Sequence, residues 1–76
     1  MNDIELTPNE KISTIKELLK EVNTLIFKLT CAHSANKKVG ADDKVLQPIV
    51  NELTRLEGLR MDYLEQISNL EKEANE

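Results

Sequence analysis

The side chains best placed to do chemistry lie in the second half of the chain. Arg60 is flanked by Leu56, Tyr63 and Ile67, at a spacing that asks for an apolar residue. A charge there must be paired or reach solvent. It can pair with Glu57, one helical turn back, or with a neighbouring subunit. Alternatively its forked donors face an anionic ligand, and a guanidinium suits phosphate well. Arg55 can join it, or form a simple surface bridge with Glu52. Tyr63, three residues after Arg60, shares its helical face, either as core with its hydroxyl at the rim or as a platform for a base. Lys37, Lys38 and Lys44 make a small basic spot. These are solvated loop charges in one reading; repeated in a symmetric oligomer, they help gather an anion.

Nothing else has the pattern of a reactive centre. The chain has no glycine-rich phosphate loop, no nucleophile elbow and no histidine pair at metal spacing. Cys31 and His33, two apart on a helix, point in different directions and do not form a nucleophile and its base. They are also the only sulfur and imidazole ligands, where structural zinc wants four ligands. Asp42 and Asp43 read as a cap and a solvated charge rather than as acid and base. An enzyme is not expected, nor a metal site or cofactor.

Two helices must position these groups. Thr7-Pro8-Asn9-Glu10 combines an N-cap threonine, a proline at the first helical position and a glutamate completing a capping box. Ile12, Ile15, Leu19, Val22, Ile26 and Leu29 then step by threes and fours, a heptad seam. The first helix is expected over 8–35, about 40 Å long at 1.5 Å per residue, after an arm at 1–7. The turn is expected over 36–43, with Gly40 able to take the left-handed conformation and Asp42 or Asp43 capping the second helix. Leu46, Ile49, Leu53, Leu56, Tyr63, Ile67, Leu70 and Ala74 carry a second seam over 44–74, interrupted only by Arg60. Pro48 either bends this helix locally or begins it, and the first reading is preferred. The acidic tail puts negative charge at the wrong dipole end, so the last turn should fray.

The expected fold class is all-α, an antiparallel two-helix hairpin assembling into a helical homo-oligomer. At 76 residues the chain is a single domain. A core this small supplies only about 3–5 kcal/mol, so such chains usually lean on disulfides, metal or association. One cysteine cannot cross-link its own chain. Leu18, Leu25 and Phe27 on the first helix, and Val50, Leu59, Met61 and Leu64 on the second, lie off the seams. Apolar faces this broad mark helices with more than one neighbour. A four-helix dimer is the smallest solution. The net charge of −4 argues against duplex DNA as a partner. With no apolar run long enough for a membrane span and no signal-peptide pattern, a cytoplasmic protein is expected.

The stretch Leu53-Thr54-Arg55-Leu56-Glu57-Gly58-Leu59-Arg60-Met61, with Ile67 six residues on, resembles the second-helix signature of a helical-hairpin domain. That domain occurs in phage proteins that sequester cyclic-nucleotide immune signals and so counter the CBASS and Thoeris defences. Its pattern reads close to Leu-Thr-Lys-Leu-Glu-Glu-Ala-Arg-Met-Trp, a small-residue run and an isoleucine. Leu53, Thr54, Leu56, Glu57, Arg60, Met61 and Ile67 match without gaps, with Arg55 for lysine. Asp62, Tyr63 and Leu64 depart from it. The resemblance implies a homo-oligomer, in family members often a hexamer, holding cyclic di- or trinucleotides between subunits without cleaving them. The ligand-binding residues expected here are Arg60, Arg55, Tyr63, Thr54 and Lys38. The alternative is a small acidic protein–protein interaction module, an inhibitor or assembly subunit, docking a host protein through Phe27, Leu59, Met61 and Leu64.

Overall fold

The computed structural model describes residues 5–75, and residues 1–4 of the expected arm lie outside them. The first helix, α1, runs Pro8–Lys38, and its start is the capping box. The Thr7 hydroxyl accepts from the Glu10 N–H at 3.2 Å, while the Glu10 carboxylate accepts from the Thr7 N–H at 2.8 Å. The Thr7 backbone N–H, and then its hydroxyl, hold the Glu10 carboxyl below its ordinary value of 4.5.

The helix continues to Lys38 rather than ending at residue 35. Asn36 is half-buried and its amide donates to the Ala32 carbonyl at 2.7 Å, which keeps the last turns closed. Lys37 and Lys38 then lie against the negative end of the dipole. Gly40, at φ 83°, ends the helix. Its N–H donates to the Lys37 carbonyl at 3.1 Å, and the Ala41 N–H reaches back to the Asn36 carbonyl at 3.0 Å. This is the Schellman closure, which needs a residue tolerant of positive φ.

The second helix, α2, runs Asp43–Ala74. Asp42 is its cap, with the side chain accepting from the Lys44 N–H at 3.1 Å, and Asp43 lies in the first turn against the positive dipole end. The helix passes through Pro48 without a break. Near a helix start the missing N–H costs one backbone bond, that to the Lys44 carbonyl, and capping and seam burial outweigh it.

The two helices pack on each other along the seams as an antiparallel hairpin. Among the described residues Ile12, Val22, Leu56 and Ile67 are buried, Leu56 the most deeply, at 2% exposure. Ile15, Leu19, Ile26 and Leu29 on α1, and Leu46, Ile49, Leu53, Tyr63 and Leu70 on α2, are half-buried. The body measures 56 × 24 × 15 Å. With a helix about 10–12 Å across, the short dimension admits one layer. Its radius of gyration is 17.3 Å, where a compact chain of this length would have about 11 Å. The accessible surface is 5819 Å², roughly 1,000 Å² more than a globular monomer of this mass exposes.

Candidate functional site

The heptad period sorts the exposed side chains beside the seam onto two flanks of this slab, with a further row, Gly58 and Glu65 among it, on the outer side of α2 opposite the seam. At the open end, one groove between the helices is lined by Asn9, Ile12 and Lys16 with Glu71, Ala74 and Asn75. On the other side a groove is lined by Lys11, Thr14 and Ile15 with Gln66, Asn69 and Leu70, and by Leu6. Residues seven apart share a face. Stepping back from Glu71 reaches Leu64, Glu57 and Val50, and from Asn75 reaches Ser68, Met61 and Thr54. These residues stand on the flank of Lys16. Stepping from Lys11 reaches Leu18 and Leu25, and from Gln66 reaches Leu59, which places these three leucines on the opposite flank.

Of the residues expected to bind a ligand, Arg60 and Tyr63 share the seam and are both half-buried. The Arg60 side chain keeps 38% of its exposure, and its Nε donates to Glu57 at 3.0 Å. Among the described residues its terminal nitrogens have no hydrogen-bond partner. Arg55 is placed differently. It forms a bidentate pair with Glu52, Nε at 2.8 Å and Nη2 at 2.6 Å. The bonds from Arg55 hold the Glu52 carboxyl below its ordinary value and raise the guanidinium. A heptad step from Arg55 leads to Asp62 and Asn69, on the Gln66 flank, so it does not join Arg60. Thr54 is on the Lys16 flank, its hydroxyl donating to the Val50 carbonyl at 3.0 Å. Lys38 sits at the turn, about 25 Å from the level of Arg60 at 1.5 Å per residue. Within one chain, therefore, these residues form no single site beyond the Arg60–Tyr63 pair.

The off-seam apolar residues show more organisation. Phe27 is 69% exposed, Met61 62% and Leu64 41%. Phe27 shares a groove of about 450 Å³ with Lys16, Leu19, Lys20, Asn23 and Thr24, which puts it on the flank of Met61 and Leu64. That volume falls within the range of ligand pockets, but the groove lies open along one helix, and ligand sites bury most of their guest. Leu59 is half-buried and on the other flank, apart from the three with which sequence reasoning grouped it.

Sequence reasoning passed over Gly58. It lies mid-helix beside Met61 and Thr54, and a Cβ built on it meets nothing within 4 Å. Glycine there costs about 1 kcal/mol relative to alanine, and no contact within the chain requires it. A glycine in a long uncapped helical run was the available signal.

Among the described residues, no group of three or more histidine, cysteine, aspartate or glutamate side chains is placed to hold a metal. Among the described residues no helix is long and apolar enough to cross a membrane. No protein family matches the sequence, and neither curated proteins nor solved structures provide a match.

Proposed function

We propose that the chain is a non-catalytic interaction module that acts by burying its exposed helical flanks against further helices. The observation that carries this reading is the single-layer slab with Phe27, Met61 and Leu64 gathered on one flank. The excess surface, roughly 1,000 Å², is of the order one side of a protein interface covers. An acidic chain also favours a partner surface that carries positive charge. Immobilised protein should retain a defined partner, itself or another protein, and Met61→Asp should release it. The reading fails if nothing is retained and the melting temperature is unchanged across a wide dilution series, since burial against a partner makes melting concentration-dependent.

Arg60 favours a second reading. Among the described residues its terminal guanidinium nitrogens have no hydrogen-bond partner, Tyr63 shares its seam, and the 53–67 segment resembles the signal-sequestering phage domain. In this reading an oligomer, as large as a hexamer, sequesters a cyclic di- or trinucleotide immune signal in the cytoplasm without cleaving it. Arg60 grips the phosphate and Tyr63 stacks on a base, while Arg55, Thr54 and Lys38 arrive from other subunits. Isothermal titration with a panel of cyclic nucleotides should give heat that Arg60→Leu abolishes. Absence of heat with every ligand would sink it.

A further inference from the structure

Resting on the interaction reading, the structure assigns the partner. We propose that two copies of the chain pair through the Phe27–Met61–Leu64 flank about a two-fold axis parallel to the helices, each Phe27 seated over the partner's Gly58.

Three observations converge. The first is the shape of the α2 surface. Thr54, Glu57, Gly58 and Met61 stand at i, i+3, i+4 and i+7, the four corners of a hole that receives a knob from a facing helix. Gly58 leaves one corner of that hole bare, because nothing of its own chain lies within 4 Å of where a Cβ would be. Phe27 is the one phenylalanine and is 69% exposed.

The second is register. Residues equally far from the turn lie level on the two helices, so Phe27 is level with Thr54. Helical side chains lean toward the N-terminus of their helix, covering surface about a turn away. On α1 that direction is toward the open end, which carries the Phe27 ring from the level of Thr54 to that of Gly58. A two-fold axis along the helices preserves level and sets α1 over the partner's α2, running antiparallel. The ring then meets the hole with no sliding of one copy past the other.

The third is charge. On this flank the α1 groove carries Lys16 and Lys20, and α2 carries Glu71 and Glu57, the latter also bonded to Arg60 of its own chain. Glu65 and Lys72, at successive heptad steps from Gly58, lie at the outer edge. The proposed axis sets the lysine side over the glutamate side, twice. Turning the axis across the helices would stack α1 on α1 and α2 on α2, like on like. Lys20 is level with Met61 and leans toward the level of the partner's Glu65.

Light scattering on a sizing column, at micromolar protein, tests this. The unaltered chain should show twice its formula mass. Gly58→Leu fills the hole, its Cβ meets nothing of its own chain within 4 Å, and it improves helix propensity. It should therefore keep or raise helicity by circular dichroism while weakening pairing at least about tenfold. Lys20→Glu and Glu65→Lys should each shift toward the single mass, and an equimolar mixture should restore the doubled mass. Leu25→Asp, on the other flank, should leave the mass doubled. A doubled mass for Gly58→Leu, or no recovery on mixing, overturns the pairing. So does a single mass for the unaltered chain. In that last case, capture of a different protein that Met61→Asp abolishes would leave the interaction reading standing without self-pairing.

Discussion

Glu10 and Glu52 respond to acid in the same sense, for different local reasons. Glu10 is held in its charged form by Thr7, and Glu52 by the guanidinium of Arg55. Both carboxyls lie below the ordinary value of 4.5 when folded. A depressed carboxyl contributes stability that is present above the unfolded value and lost as pH falls through the folded one. Helicity should accordingly hold at neutral pH and decline below 4.5, with Glu10→Ala flattening part of that decline. Followed by circular dichroism at neutral pH, Thr7→Ala should cost about 1 kcal/mol, the usual effect of losing an N-cap. Arg60 gives the opposite sign. Arg60→Leu continues the seam between Leu56 and Ile67, so urea unfolding should show a gain of about 1 kcal/mol. A chain that is more stable without its seam arginine keeps that arginine for something other than folding.

At the scale of the elements, the turn makes the sharpest prediction. Gly40 has φ 83° and open space where a side chain would go. Strain alone therefore decides the outcome, and Gly40→Ala should destabilise the hairpin by about 1 kcal/mol in urea unfolding. Both seams, the capping box and the left-handed glycine were legible in the sequence, since each depends on contacts within a few residues. The extension of α1 to Lys38 was not, because it rests on the Asn36 amide turning back to Ala32 rather than capping a turn. Arg55 was the clearest loss in the proposed site. Arg55 and Arg60 are five residues apart, which on a helix turns them to different faces, and Glu52 occupies the first. Leu59 was grouped with Phe27, Met61 and Leu64 because hydrophobicity was read without the heptad period, which already turns Leu59 away from Met61 and Leu64 on α2. Only the placing of Phe27, on the other helix, beside that pair depends on how the two helices pack.

For the molecule as a whole, the seam alone is a slender foundation. Among the described residues Leu56 is the side chain most fully removed from water. Leu56→Ala should remove about 2–5 kcal/mol, comparable to all that a core of this size supplies. Thermal melts of this variant should show no cooperative transition, whereas Met61→Asp should retain one with reduced dependence on concentration. The contrast separates residues that hold the hairpin from those proposed to hold a neighbour.

The 15 Å dimension of the slab has a further consequence, for lifetime. A sheet of matter one helix deep has no interior in which amides are sheltered by a second layer, so brief openings of a lone chain would expose its backbone to proteases. Degradation of the transiently open form follows its equilibrium population, and any occupant of either flank lowers that population. Were the flank occupied by a second copy as proposed, orphaned copies would be cleared and engaged copies spared, so survival of this protein in a cell would rise with its own concentration.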